Sequence, residues 1–292
     1  MKIKLLCHLK GDDDLLDAWF GYYSRLGVSS YHLIVHGPEQ ENRRLHVLKH
    51  FYPVVIEDSY EGPFDSEEKK RRLNLVLGRM RGEWVLLVDS DEFVEFPYKK
   101  LSTTIRLLQL TRRTALCAPM VQHLTPDGSL DSPPIVENPF RTFPLCSVDL
   151  YRRIGADAAI DKFPLFFCDA GTMLLDGGNH SCPLGTSASA LRGVTHHFKF
   201  RASVIQRINS RIESLHPWRH KSVQQKEYLA LHQNRLPLDG AFVSSRQELF
   251  RRGLLRKLGF INGLRFLRRA AKRIPFRPHS GRPRTVPDRH GA

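Results

Sequence analysis

Two aspartates separated by one residue form the segment whose residue types and spacing best suit chemistry. Asp89 and Asp91 lie in GEWVLLVDSDEF, directly after an apolar run. Carboxylates at this spacing can present oxygens to one divalent cation and leave coordination positions for phosphate oxygens. Such a cation offsets charge that develops on a leaving diphosphate, and hard oxygen ligands favour Mg²⁺ or Mn²⁺. The pair therefore predicts a metal and sugar-diphosphate site, although acids after a strand also cap helices.

The apolar run at residues 84–88 indicates a strand buried on both faces of a parallel sheet, ending at the aspartates. Further patterned segments predict strands at 3–8, 31–36 and 53–57 and helices at about 15–26, 39–50 and 65–81. Alternating strands and helices indicate an α/β fold. In such sheets ligands bind beyond the carboxyl ends of the strands, which is where the aspartates are expected.

Three segments resemble the family 2-like glycosyltransferases. KKRRLNLVLGRMRGEWVLLVDSDEF is similar to the family core, in which an Asn-bearing helix, a Gly-Glu-aromatic turn, an apolar strand and an Asp-x-Asp follow in order. LLDAWFGYYSRLGVSSYHLIV resembles a variant branch whose early helix carries a Trp and ends in Leu-Gly-Val. LLDGGNHS (174–181) and HHFKFRAS (196–203) resemble the late histidine and arginine signature of that branch.

The resemblance implies a GT-A nucleotide-sandwich fold, which is Rossmann-like with a mostly parallel central sheet, and a transferase that inverts the anomeric carbon. It implies a divalent metal, Mn²⁺ or Mg²⁺, and a nucleotide-diphosphate sugar as donor. We expect residues 1–96 to form the nucleotide-sugar-binding half and 97–215 the acceptor-binding half of one domain. A basic helical extension at 216–274 and a disordered tail at 275–292 are expected to follow.

Site residues follow from the resemblance. It places the metal at Asp89, Asp91, His197 and His180, and the donor at Asn74, Arg72, Asp12, Asp13 and Arg201. Neutral imidazole is a competent ligand for Mn²⁺, and an arginine can bind a diphosphate through two hydrogen bonds. The first strand leads into HLKGDDD where the family has a short acidic motif, so Asp12 or Asp13 is a candidate substitute.

An inverting enzyme also needs a carboxylate that takes the proton of the acceptor hydroxyl. Three aspartates of the expected acceptor half remain open for this role, with Asp169 slightly favoured: Asp161, Asp169 and Asp176. Glu92 is expected either to orient the metal ligands or to cap a helix.

The charge of the chain is concentrated near one end. The formal net charge is +15, and residues 246–292 hold 14 Lys and Arg against two acids, a net +12. This basic segment is expected to dock on an anionic membrane surface, where a glycan or lipid-linked acceptor would lie. Nucleic acid is disfavoured as a partner, because the remaining 245 residues are nearly balanced.

The location expected from the sequence is cytoplasmic, peripheral on the inner face of the membrane. The five cysteines form an odd set without a CxxC pair, which argues against a disulfide framework or a Cys-rich zinc site. No signal peptide or membrane-spanning segment is predicted.

The alternative function is a basic protein that binds anionic membranes or nucleic acid without transferase activity. A metal-dependent phosphodiesterase is a second rival.

Overall fold

The computed structural model describes residues 2–155, 159–204, 209, 231 and 236–251. Its first half contains β1 (Ile3–Leu9), α1 (Leu16–Leu26), β2 (Ser30–His36), a 3₁₀ turn (Glu39–Asn42), α2 (Arg43–Leu48), β3 (Val54–Tyr60), α3 (Ser66–Gly78), β4 (Glu83–Leu87), β5 (Glu92–Glu95) and α4 (Leu101–Leu110). Its second half contains β6 (Ala115–Cys117), β7 (Met120–Leu124), α5 (Pro139–Thr142), β8 (Leu145–Ser147), α6 (Leu150–Arg153), β9 (Leu165–Cys168), β10 (Ala188–Arg192), β11 (Val194–His197), β12 (Phe242–Val243) and α7 (Arg246–Arg251).

The central sheet has seven strands in the order β10-β6-β9-β4-β1-β2-β3. Strands β3, β2, β1 and β4 are parallel, whereas β9 runs antiparallel to both β4 and β6. A second sheet has the order β12-β8-β7-β11-β5, in which β5 runs antiparallel to β11. The α/β class and the mostly parallel central sheet expected from the sequence are confirmed.

The apolar pattern explains how the first elements pack. Strand β1 is buried on both faces, and α1 covers one face of the sheet with Trp19, Phe20 and Tyr23. Helix α3 covers the opposite face and begins at Asp65, whose side chain accepts a hydrogen bond from the backbone N–H of Glu67. These two helices hold the carboxyl ends of β1 and β4 in place.

Two local expectations are corrected. The sequence offers Asp12 to Asp14 as caps of the first helix, but α1 begins after Leu15 without a side-chain cap, because these carboxylates bind other partners described below. The expected helix at 39–50 is a 3₁₀ turn followed by the six-residue α2. The predicted strands agree with the observed ones to within three residues at each end.

The two expected halves of the domain are interleaved. Strands β6, β9 and β10 extend the sheet that the first 96 residues begin, and β5 leaves that part of the chain to join the second sheet. Apart from residues 231 and 236–251, the predicted basic extension at 216–274 and tail at 275–292 lie outside the described residues. Across the described residues, none of the helices combines the length and apolar character needed to cross a membrane.

Candidate active site

A polar cleft of about 240 Å³ opens at the carboxyl ends of β1 and β4, the edge of the sheet that the sequence predicted for the site. It is lined mainly by charged and aromatic side chains: His8, Lys10, Asp12, Phe64, Lys69, Asp89, Asp91, Glu92, Tyr151, Lys162, His180, His197 and Lys199. Both aspartates of the predicted pair therefore line the same cleft as four lysines.

Asp89 lies between two lysine ammonium groups. Lys69 Nζ on α3 is 2.7 Å from Asp89 Oδ1, and Lys162 Nζ is 3.5 Å from Oδ2. Burial alone would raise the pKa of Asp89, but the two lysines hold it below the ordinary value for an aspartate. Trp19 Nε1 donates to the Asp89 carbonyl at 3.1 Å, which ties the strand end to α1. Asp89 is therefore ionised and already paired with cations.

Lys162 connects three groups at the floor of the cleft. Its Nζ is 2.6 Å from Glu92 Oε1 and donates to the Gly178 carbonyl at 2.6 Å, while the residue is only 4% exposed. Burial raises the pKa of Glu92, and Lys162 opposes that rise. Lys162 lies here because it precedes β9, whose antiparallel pairing with β4 brings its start to the carboxyl end of β4.

Asp91 faces His197 across the junction of two strands. Asp91 Oδ2 and His197 Nε2 are 3.3 Å apart, and the backbone N–H of Phe198 donates to the Asp91 carbonyl at 2.9 Å. Pairing of β11 with β5 sets this geometry, because His197 is opposite Glu92 in the register. His197 Nδ1 is buried and has no hydrogen-bond partner among the described residues.

The predicted metal ligands all line one cleft, but their ligand atoms do not all converge. Asp91 and His197 suit a divalent cation, because their ligand atoms lie at the separation expected for two ligands of one ion, and Mg²⁺ takes one or two protein ligands plus substrate phosphates. Within the described part of the chain, the predicted set does not supply three ligand atoms within 4.8 Å of one another. His180 lines the cleft, and its Nδ1 is 2.9 Å from the Asp161 carbonyl oxygen.

Arg201, predicted to bind the diphosphate, instead forms the buried centre of an ion cluster. Its Nη2 pairs with Asp12, and its Nε donates to Asp14 Oδ2 at 2.8 Å. Ser90 Oγ donates to the other oxygen of Asp12 at 2.7 Å, which links the cluster to the loop of the aspartate pair. Because Arg201 is fully buried, it positions the cleft wall and does not face a ligand.

Three other predicted donor residues have structural partners and do not line the cleft. The side chain of Asn74 makes two hydrogen bonds with the backbone of Leu174, at 2.8 and 3.3 Å. Arg72 lies 3.8 Å over the Tyr60 ring. Asp13 accepts a hydrogen bond from the backbone N–H of Arg44 at 3.2 Å.

The three candidate bases also lie outside the cleft lining. Asp169 follows β9, so it lies at the amino end of β4, about 20 Å along the strand from Asp89. Burial would raise the pKa of Asp176, but backbone N–H groups of His180 and Ser181 hold it below its ordinary value. Asp161 accepts a hydrogen bond from the Cys117 thiol.

Aromatic rings form the wall of the cleft next to β1 and β3. His8 Nε2 is 2.7 Å from the Tyr60 hydroxyl oxygen, and the His36 ring stacks on Tyr60 with centroids 4.3 Å apart. Phe64 packs edge-on against His8. Burial, with a further contribution from Lys69, lowers the pKa of His8 to about 2, so this ring is neutral.

The sequence interpretation missed both lysines that pair with Asp89. A signal for Lys69 was present, because Leu73 and Leu77 follow it at four-residue steps and are buried, so Lys69 shares the inward face of α3. No local pattern marks Lys162, which is placed by the antiparallel pairing of β9.

No protein-family model and no curated protein matches the sequence. Among solved structures, the chain is similar to the 1–349 fragment of S. aureus TarS in complex with UDP-GlcNAc, with 13% identity, 92% of this chain and 81% of that chain covered, and a TM-score of 0.41. It is also similar to a 4-diphosphocytidyl-2C-methyl-D-erythritol synthase from Anaerococcus prevotii, with 8% identity, coverage of 91% and 96%, and a TM-score of 0.28. At these TM-scores the similarities do not identify an activity.

Proposed function

We propose that this protein is a glycosyltransferase that moves a sugar from a nucleotide-diphosphate sugar to an acceptor. The observation that carries the proposal is the cleft itself, where the Asp89 and Asp91 pair meets four lysines at the carboxyl ends of parallel strands. Anionic ligands collect at this edge of an α/β sheet, and a mixed acidic and basic lining suits a diphosphate bound with a cation.

The proposed metal site consists of Asp91 and His197. A bound Mn²⁺ or Mg²⁺ would offset the charge on the leaving diphosphate. Lys69 and Lys162 keep Asp89 ionised, so this carboxylate accepts hydrogen bonds from hydroxyl groups of the donor. We propose that Lys10 and Lys199, which also line the cleft, bind the phosphates.

The aromatic wall suits the base of the nucleotide. His8 and Phe64 both line the cleft, and their rings contact each other edge-on. In the sequence, each lies within a few residues of a lysine that also lines the cleft. A neutral His8, whose Nε2 contacts the Tyr60 hydroxyl, can pack against a base without bringing a charge to it. We therefore propose that the base lies on this wall and the sugar lies towards His180.

The test is a panel of nucleotide-diphosphate sugars incubated with the protein and Mn²⁺ or Mg²⁺, with release of nucleotide diphosphate as the signal. We expect slow release with one class of donor. Asp91→Asn should lower metal-dependent release and donor binding at least 100-fold, because it removes a charged metal ligand. The matched control is Asp127→Asn, an exposed turn aspartate that accepts from the backbone N–H of Ser129 and should leave both unchanged.

Normal turnover by Asp91→Asn would contradict the proposed site. Failure of every donor to bind, with or without metal, would reject the transferase in favour of a basic binding protein. We further propose that the basic segment docks the enzyme on anionic membranes near a glycan or lipid-linked acceptor. Removal of residues 252–292 should abolish salt-sensitive binding to phosphatidylserine vesicles while donor binding persists.

A further inference from the structure

A second cluster of ligand-type side chains lies in the second sheet, away from the cleft. His123 on β7, Cys146 on β8 and His196 on β11 are all buried, with at most 3% exposure. His123 and Cys146 are direct cross-strand partners in the register. His196 is paired with Val121, two residues before His123, so its side chain points to the same face of the sheet as that of His123.

The ligand atoms of this His123–Cys146–His196 cluster converge. His123 Nε2 is 2.9 Å from His196 Nδ1 and 3.2 Å from Cys146 Sγ, and the three ligand atoms lie within 4.8 Å of one another. Ligands of a tetrahedral zinc ion are separated by about 3.3 Å between nitrogens and about 3.6 Å between nitrogen and sulfur. The two separations from His123 Nε2 would each need to open by about 0.4 Å to hold such an ion.

The outer partners of both histidines orient their ring protons away from the cluster. His123 Nδ1 is 2.8 Å from the Phe143 carbonyl oxygen, which can only accept, so the proton is on Nδ1 and the Nε2 lone pair faces inward. His196 Nε2 is 3.5 Å from Glu95 Oε2, a position that favours a proton on Nε2 and a lone pair on Nδ1. In these tautomers the two ring lone pairs face each other at 2.9 Å beside the Cys146 thiol, an arrangement that a bound cation would satisfy.

We propose that His123 Nε2, His196 Nδ1 and the Cys146 thiolate bind one Zn²⁺ ion. Binding breaks the Cys146 S–H bond, releases the proton to solvent and forms the metal–sulfur bond. Two imidazoles and one thiolate are characteristic zinc ligands, and histidine ligands of zinc commonly donate their second N–H to a carbonyl or carboxylate. Phe143 and Glu95 occupy those two positions.

The proposed zinc site is separate from the candidate active site although their ligands are adjacent in sequence. Successive residues of a strand point to opposite faces, so His197 faces Asp91 while His196 faces His123. A cavity of about 290 Å³ is lined by His196 and Glu95, on the outer side of the cluster. The ion would join β7, β8 and β11, three strands of one sheet.

The test measures metal in the tag-free full-length protein after expression with zinc and exhaustive dialysis. We expect about one zinc per chain, and a Co²⁺-substituted sample should show thiolate-to-cobalt charge-transfer absorption. Cys146→Ser should lose the absorption, and Glu95→Gln should weaken zinc binding about 10–100-fold. Cys168→Ser is the matched control, a buried cysteine of the central sheet that donates to the Leu77 carbonyl and should retain the metal.

Asp91→Asn should also retain the zinc, so the zinc proposal is tested independently of the proposed transferase. If the wild-type protein contains well under one zinc and gives no charge-transfer absorption with Co²⁺, the two rings share a proton and the proposal is wrong. Stoichiometric copper in place of zinc would overturn the assignment of the ion. These measurements on the wild type remain decisive even if the variants fail to fold.

Discussion

Replacing Lys162 with methionine tests whether its buried ion pairs hold the floor of the cleft together. Methionine keeps most of the side-chain volume and removes the ammonium group. The change leaves Glu92 without its partner at 2.6 Å and the Gly178 carbonyl without its donor, whereas Asp89 keeps Lys69 at 2.7 Å. Glu92 is 2% exposed, so water cannot replace the lost cation.

The expected loss is large because the remaining charge is buried. Removing one partner of a buried ion pair costs about 3–5 kcal/mol in the free energy of unfolding. For a chain of this size such a loss lowers Tm by roughly 6–12 °C. The matched control is Lys70→Met, since Lys70 pairs at the surface with the exposed Glu67, and a surface pair is worth about 0–1 kcal/mol.

The loss should depend on pH. Burial raises the pKa of Glu92 in the folded protein and Lys162 opposes that rise, so Lys162→Met raises the pKa further. A carboxyl group with a raised folded pKa binds more protons when folded, so stability falls as pH rises from the ordinary glutamate pKa to the folded value. The deficit of Lys162→Met should therefore be larger at pH 8 than at pH 5 in urea unfolding.

The double variant Lys162→Met/Glu92→Gln provides the refutation. If the ion pair carries the effect, the second substitution should recover at least 1 kcal/mol of the loss and remove the pH dependence. If Lys162→Met is equally damaging with glutamine at position 92, the ion pair does not hold the floor of the cleft and the reasoning is wrong.

Two further predictions concern residues beside the aspartate pair. Tyr23→Phe should lower the free energy of unfolding by about 1–3 kcal/mol, measured by urea unfolding. The reason is that the buried hydroxyl donates to the Glu92 carbonyl at 2.9 Å and accepts from the Val94 N–H at 3.1 Å. A loss under about 0.5 kcal/mol would contradict this prediction. Burial and Lys162 lower the pKa of His180 to about 4 in the folded protein. As pH drops, the unfolded chain therefore binds the proton before the folded protein does, and stability falls between about pH 6.5 and pH 4. His180→Gln should flatten that slope, and an unchanged slope would refute the assignment.

The position of the aspartate pair could be predicted because its determinants are local. A short continuous apolar run that follows Gly82 and stops at Asp89 is typical of a buried strand, and the edge where it ends follows from the alternation of helices and strands. The predicted end of the first helix at residue 26 has the same local basis, because Gly27 follows it and adopts a left-handed backbone with φ of 93°. These features depend on a dozen consecutive residues at most.

The remainder of the cleft depends on contacts that no local pattern records. Asp169 was slightly favoured among the three candidate bases of the expected acceptor half, but the antiparallel direction of β9 places it at the far edge of the sheet. The same reversal brings Lys162, at the other end of that run, to Asp89. Strand direction in a mixed sheet is set by tertiary packing. Because β9 is antiparallel, the candidate base Asp169 lies far from the cleft and Lys162 lies in it.

The pair His196 and His197 shows how a four-residue strand can serve two sites. Both histidines belong to one sequence motif, yet the two-residue period of β11 directs one to the cleft and the other to the cluster on the opposite face. A shift of one residue in the pairing of β11 would exchange the two rings and disrupt both sites. An ion held by His123, Cys146 and His196 would fix this register across three strands, and would thereby hold the His197 side chain beside Asp91 without contacting the donor.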